Sequence, residues 1–411
     1  MMKLMGNAVV GQSGGPTAAI NATLAGVIRG VRDYGAGTVG TLYGMKNGIE
    51  GFLEGRLVDL GARFAREEDL ILLENTPSAA LGSCRKKLPD PAADPAFFEA
   101  LIETFRRYDI RYFFYIGGND SMDTVAKLRA YTKACDYEMR VIGVPKTIDN
   151  DLMGTDHTPG FGSAAKYVAT TMQEILCDCA VYTIPAVTIV EVMGRDAGWL
   201  TASAALPGLN GRGPDYVYLP ERAFDMERFF EDVRTALARH PNVVIAVSEG
   251  VRFADGRYVG ESTQMGALDA FGHKILAGVG KALEMAVKAE LGCKVRSVEL
   301  NLPQRCASHL ASRTDLDESV AAGREGVRIA LEGLSGQMIR FARREGEPYA
   351  CEIGHADVAA IANQVRRVDD VFINERGNHV TDACLSYLRP LILGEVAHTY
   401  ENGLPQYITI E

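Results

Sequence analysis

"RYFFYIGGNDSMDTVAKLRAYTK", residues 111–133, sets the architecture of the chain. The aromatic run from Tyr112 to Ile116 suits a strand, and Gly117-Gly118 ends it with a sharp turn or a close backbone approach. The apolar residues that follow, Met122, Val125 and Leu128, return at helical spacing. A strand, a glycine turn and a helix in that order form the first half of a parallel βαβ unit. The turn also sets an amide and a carboxylate, Asn119 and Asp120, side by side at the mouth of the helix. These residues suit metal ligation. They equally suit capping, with Asn119, Asp120 or Ser121 bonding the first amides of a helix that begins near Met122.

The same texture recurs outward in both directions. "NAVVGQSGGP" (7–16) leads into "AAINATLAGVIRGV", "MRVIGVPKTIDND" (139–151) follows, and "AVTIVEVMGRDAG" (186–198) and "NVVIAVSEG" (242–250) repeat it. Such alternation predicts an α/β fold whose mostly parallel sheets are covered on both faces. The two series, roughly 1–150 and 165–300, predict two similar layered domains facing one cleft. "SAAKYVATTMQEILCDC" (163–179) and "FGHKILAGVGKALEMAVKAELG" (271–292) predict packing helices, the second ended by Gly292. "LPDPAADP" (88–95) reads as a surface connection, and "ARREGEPYACEIG" (342–354) as an exposed hairpin or linker.

Composition narrows the function. The 411 residues are 47% hydrophobic and 23% charged, a balance for a globular chain of two or three domains. A formal charge of −10 argues against nucleic acid and anionic membrane as partners. The 8 cysteines contain no Cys-x-x-Cys pair, which predicts reduced and mostly buried thiols. The first residues, "MMKLMGNAVV", lack the apolar core of a signal peptide, so the expected location is the cytoplasm.

In open α/β sheets, ligands gather beyond the carboxyl ends of the strands. Gly14-Gly15, Gly117 to Asp120, Lys146 to Asp151, Met193 to Arg195 and Glu249 all follow apolar runs, and so all fall at such ends. "GQSGGP" lets successive backbone N–H groups face an anion, or serves simply as a structural turn. "PKTIDND" (145–151) carries Lys146, Thr147, Asp149 and Asp151, where an ordinary loop needs a single cap. Phosphoryl transfer requires charge beside the moving group and a proton acceptor for the attacking hydroxyl. Lys146 and Asp149 meet those two needs. Arg195 follows the flexible Gly194, Glu249 offers a hydroxyl acceptor, and "KVRSVELNLPQR" (294–305) offers Arg296 and Arg305 as phosphate ligands. One such arginine is ordinary surface charge; the set beside the aspartate loop reads as a sugar-phosphate pocket.

Taken in order and spacing, "GGNDS", "PKTIDND", "EVMGRDAGW", "SEG" and "PQR" resemble the phosphofructokinase family over about residues 7–310. Asp120 and Lys146 stand where the ATP enzymes of that family carry glycine, a combination similar to its pyrophosphate-dependent branch. A carboxylate there fills and repels where a nucleotide's α-phosphate would run, while the lysine compensates the charge of a bare diphosphate. The resemblance implies two Rossmann-like three-layer domains: 1–160 with roughly 304–370 for diphosphate and metal, 161–303 with roughly 371–411 for the sugar phosphate. It implies reversible, Mg2+-dependent phosphoryl transfer from diphosphate to the 1-hydroxyl of fructose 6-phosphate, giving fructose 1,6-bisphosphate and phosphate, in a homodimer or homotetramer.

Carried over by residue, the resemblance makes Asp149 the proton acceptor, with Lys146 and Asp120 beside it as catalytic groups. Thr147, Asp151, Met193, Gly194, Arg195, Glu249, Arg296 and Arg305 would contact the sugar phosphate. Gly14, Gly15, Arg85, Asp120 and Lys146 would hold diphosphate, and Asp120 with Asn119 the metal. Three positions depart from the pattern: Asn119 replaces a metal-binding aspartate, Ala186 an arginine lent between subunits, and Leu302 a polar substrate contact. Arg296 is left as the candidate lent arginine, and Ala25 replaces an effector arginine. An ATP-dependent phosphofructokinase and a non-catalytic sugar-phosphate sensor are the rival expectations.

Overall fold

The computed structural model describes residues 4–260, 278–346 and 348–410. The strands of its two large sheets, in chain order, are β1 (Gly6–Gln12), β2 (Val39–Met45), β3 (Leu57–Asp59), β4 (Ile110–Gly117), β5 (Arg140–Pro145), β6 (Ala186–Val192), β7 (Tyr216–Tyr218), β8 (Asn242–Ser248), β9 (Lys294–Glu299), β10 (Gln337–Arg343) and β11 (Cys351–Asp357). They form a seven-stranded sheet in the order β11-β10-β5-β4-β1-β2-β3 and a four-stranded sheet in the order β7-β8-β6-β9. The smaller sheet is parallel throughout; in the larger, only the β2–β3 and β10–β11 pairs are antiparallel. The β10–β11 pair is the hairpin expected around 342–354.

The period of two along β4 explains why the larger sheet is buried on both faces. Tyr112, Phe114 and Ile116 enter one apolar cluster with Ala8 and Val10 of β1; Phe113 and Tyr115 enter another with Val9. β8 splits likewise, Val243, Ile245 and Val247 against Val244 and Ala246. Burying one such side chain contributes about 1.5–3 kcal/mol, so two-sided burial holds each sheet between two helical layers. In the larger sheet the chain reverses its direction of growth between β1 and β4, and in the smaller between β6 and β9. The loops leaving these strands are where a ligand belongs.

Several details differ from expectation. The helix Asn119–Ala134 begins at Asn119, with Gly118 as its cap and no side-chain cap bond, so capping is not the business of Asn119, Asp120 or Ser121. The C-terminal piece is shared: Val368 and Leu388 join the second domain's core, but Ile408 and Ile410 pack into the first. The 371–411 segment therefore does not belong wholly to the sugar-phosphate domain. The helix Val279–Leu291 ends at Gly292 in the left-handed conformation, while its expected first half, up to residue 277, lies outside the described residues. Only Cys84, Cys179 and Cys384 are buried, fewer than expected, and all eight cysteines are unpaired. Ala25 is fully buried. Among the described residues no helix is long and apolar enough to cross a membrane.

Candidate active site

A cavity of about 410 Å³ opens where the strand ends of both sheets converge. Its lining includes Gly14 and Gly15 after β1, Asn119 and Asp120 after β4, Lys146 to Asp149 and Asp151 after β5, Met193 and Arg195 after β6, and Glu249 after β8. Arg85 and Arg305 join them. A larger hollow of about 860 Å³ lies behind, sharing Val365, but its walls come from residues 153–156, 340–342 and 366–370 and contain neither Lys146 nor Asp149. The acid–base groups face the smaller cavity.

Lys146 organises the centre. Its side chain is almost fully buried, and Nζ donates to the Gly15 carbonyl at 2.6 Å, tying the β5 loop to the β1 loop. Burial, partly opposed by Asp149 and Asp151, brings its pKa down to about 8. Asp149 and Asp151 lie at the cleft floor, open to it on one side and enclosed by protein on the others. That desolvation raises the Asp149 carboxyl, against the pull of the Lys146 ammonium; it and the charge of Asp149 raise Asp151 to about 7. Between them Asn150 takes a left-handed conformation, φ 54°, a shape asparagine tolerates better than most residues. Thr147 stiffens the turn, accepting from the Asp149 amide at 3.1 Å.

The donor corner is built differently. Gly117 admits no side chain, since a Cβ would fall 1.9 Å from Ser121 Oγ. At Gly15 and Gly118 a Cβ would meet only Arg305 Nη1 at 3.5 Å and the Lys146 carbonyl at 3.6 Å, so a side chain there would project into open cleft. Such a cradle leaves backbone free to approach an anion. Asp120 is 41% exposed and pairs with Lys87 at 3.2 Å. Asn119 donates weakly to Asp151 at 3.4 Å, while its Oδ1 is buried without a partner among the described residues. An orphaned amide oxygen beside a carboxylate is a hard-oxygen donor set, so the corner fits a divalent metal that keeps most of its ligands as water and phosphate.

On the opposite wall, Gly194 adopts φ 135°, and a Cβ there would press to 2.6 Å from the Ala197 carbonyl. Its amide donates to Glu249 at 3.3 Å, and burial raises the Glu249 carboxyl. Met193 is held by its amide on Gln304 Oε1 at 3.1 Å; Gln304 is fully buried and was visible in sequence only as the middle letter of "PQR". Asp196, which pairs with Arg252 at 2.6 Å, also lines the cavity and was not singled out. Arg305 sits beside Gly15 and depresses Lys146, at the glycine cradle rather than at the wall of Gly194 and Glu249.

Gly194 is missing from the cavity lining although both its neighbours line it, whereas Arg296 is not brought to this cleft. It lies on β9, 4.0 Å from Asp178, near Tyr182, Ile184 and Ala186. β9 is the edge strand of the smaller sheet and Arg296 sits partway along it, short of the strand end that meets the cleft, which nine-residue spacing from Arg305 does not reveal. Leu302, expected near the substrate, is 52% exposed and outside the cavity lining.

Paired parallel sheets with a glycine cradle, a buried lysine and two coupled aspartates at their shared mouth define a phosphoryl-transfer architecture. A family model described as Phosphofructokinase matches residues 7–321, and the chain belongs to the phosphofructokinase family. The pyrophosphate–fructose 6-phosphate 1-phosphotransferase of Methylococcus capsulatus is 43% identical over 407 residues, 98% of this chain and 96% of that protein. The protein of the same name from Halomonas elongata is 42% identical across 97% and 95% of the two chains. The crystal structure of a pyrophosphate-dependent phosphofructokinase from Nitrosospira multiformis superimposes with a TM-score of 0.89 at 38% identity, covering 98% of this chain and 96% of that one.

Proposed function

We propose that the chain is an enzyme that reversibly transfers a phosphoryl group from diphosphate to the 1-hydroxyl of fructose 6-phosphate, with Mg2+ as cofactor. The observation that carries this reading is the joining of Lys146 to Gly15 across the cleft, with Asp149 and Asp151 on one side and Asp120 on the other. The relatives that span nearly the whole chain and carry that activity in their names support it.

In this mechanism Asp149 accepts the proton of the 1-hydroxyl as its oxygen attacks the terminal phosphorus of diphosphate, whose bond to the bridging oxygen breaks to release orthophosphate. In the reverse direction the Asp149 carboxylic acid returns the proton to the sugar oxygen as the bond to phosphorus breaks. Lys146 and Arg305 place positive charge beside the moving group, whose negative charge spreads over its peripheral oxygens in the transition state. Arg195 and Glu249 orient the sugar phosphate, Glu249 through a hydroxyl. Asp120 narrows the donor side to a bare diphosphate. Asp120 and Asn119 Oδ1 would hold magnesium, which when bound would supply charge neutralisation to the diphosphate oxygens.

Arg296 reads as a residue for a second copy, because it sits on the edge strand of the smaller sheet beside Tyr182 and Ile184, which are 42% and 52% exposed. A homodimer or homotetramer in the cytoplasm completes the reading. The test of the reaction is phosphorus NMR of the purified protein with diphosphate, Mg2+ and fructose 6-phosphate. The diphosphate resonance should give way to orthophosphate and a 1-phosphate ester, and the mixture should run backward when orthophosphate and fructose 1,6-bisphosphate are supplied. Orthophosphate without the ester would reduce the activity to diphosphate hydrolysis.

A further inference from the structure

The catalytic loop is held from behind by residues that lie beyond the part of the chain matched by the family, which ends at residue 321. Tyr387 is buried, its ring packed against Trp199 at 5.2 Å and Phe372 at 5.5 Å between centroids. Its hydroxyl accepts from Asn150 Nδ2 at 3.0 Å and donates to the Asp156 carbonyl at 2.6 Å. The Arg366 guanidinium bonds the same carbonyl and lies 3.4 Å from the Tyr387 hydroxyl. The Arg366 amide donates to the Asp151 carbonyl at 2.7 Å, and Thr158 Oγ1 donates to the Thr147 carbonyl at 2.8 Å.

Asn150 therefore has its left-handed backbone held at three points: before it at Thr147, through its own side chain, and after it at Asp151. Because Asp149 and Asp151 flank Asn150, a rotation of this one residue would swing both carboxylates. A buried phenol is suited to the task. It bonds on two sides at once and holds no charge to disturb the pair in front of it.

We propose that Tyr387 is a positioning residue for the phosphoryl transfer, its hydroxyl locking Asn150 so that Asp149 and Asp151 face the cleft at a fixed separation. This rests on the proposed function for its activity readout. It adds that the C-terminal segment, outside the matched region, sets the chemical step and not merely the core.

The experiment compares Tyr387→Phe, which removes only the hydroxyl, with Phe372→Leu, which loosens the same aromatic cluster and touches no hydrogen bond of the loop. Tyr387→Phe should lower kcat about tenfold or more, with the KM for both substrates within about twofold of wild type, and should move the acidic limb of its pH profile. Phe372→Leu should lower the thermal midpoint and leave kcat alone. Amide exchange in 147–152, followed in the same proteins without substrate, should speed up by about tenfold in Tyr387→Phe only. Wild-type kcat, pH profile and loop exchange in Tyr387→Phe would overturn the proposal, as would an equal loss of kcat in Phe372→Leu. A wild-type protein inactive with diphosphate would contradict the proposed reaction instead, and the exchange measurement would still decide whether Tyr387 holds the loop.

Discussion

The two sides of the cleft face each other but are organised by different means. The loop Lys146–Asp151 is held by the protein itself: Lys146 on Gly15, Asn150 on Tyr387, Asp151 on Arg366. The corner at Asn119–Asp120 is looser, with an exposed carboxylate paired to a surface lysine and an amide oxygen that has no partner among the described residues. The proton acceptor must stand ready before the substrate arrives, since preorganised groups cost no rearrangement in the transition state. The donor corner is completed by what it binds. On the proposed function, one side would govern rate and the other which donor is accepted.

That contrast is broken most severely at Asp149. Asp149→Asn keeps the shape and removes the base, and kcat should fall about 10²–10⁴-fold with little change in KM, measured by steady-state kinetics. Lys146→Met should lower kcat about 10²–10³-fold. Its charge also holds Asp149 down, so its loss raises that carboxyl further, and the acidic limb of the pH profile should move to higher pH. In the wild type, activity should rise as the raised Asp149 carboxyl and Asp151, near 7, ionise, and decline as Lys146, near 8, loses its charge.

Asp120→Gly acts on the other side. It should leave kcat nearly intact, raise the KM for diphosphate about tenfold, the equivalent of one charge-assisted contact, and allow measurable turnover with ATP. A fall in kcat matching that of Lys146→Met would erase the distinction between the two sides.

The smallest effect lies behind the site, at His157. Its two ring nitrogens face Asp156 at 2.8 Å and Glu318 at 2.7 Å, and these carboxylates outweigh burial and raise its pKa to about 9. Arg343 pairs with Asp156, while Tyr349 donates to Glu318 and Cys351 lies close by. A folded-state pKa above the usual 6.5 means a contribution fully present below that pH and lost as pH rises through 9. Urea unfolding at pH 6 and pH 9.5 should differ by on the order of 2 kcal/mol more in wild type than in His157→Gln.

Much of this could be read from residue order. Strand-and-glycine periodicity gave both sheets, and five polar tags after apolar runs converge on one cavity, because parallel strands necessarily end on the same side. What order could not supply was facing and long-range contact. Arg296 lies partway along an edge strand, Gln304 was not singled out, and the Tyr387–Asn150 bond joins residues 237 positions apart. Asn119 looked like a defect in a metal site. Its buried oxygen has no partner among the described residues, which is what the proposed ligand role would need.

The central claim is tested most directly by a donor comparison: purified protein, Mg2+ and fructose 6-phosphate, with diphosphate, ATP or ADP offered in turn and fructose 1,6-bisphosphate measured. Turnover with diphosphate and none above background with ATP or ADP is the predicted result. Turnover with ATP and none with diphosphate would contradict the roles given to Asp120 and Lys146.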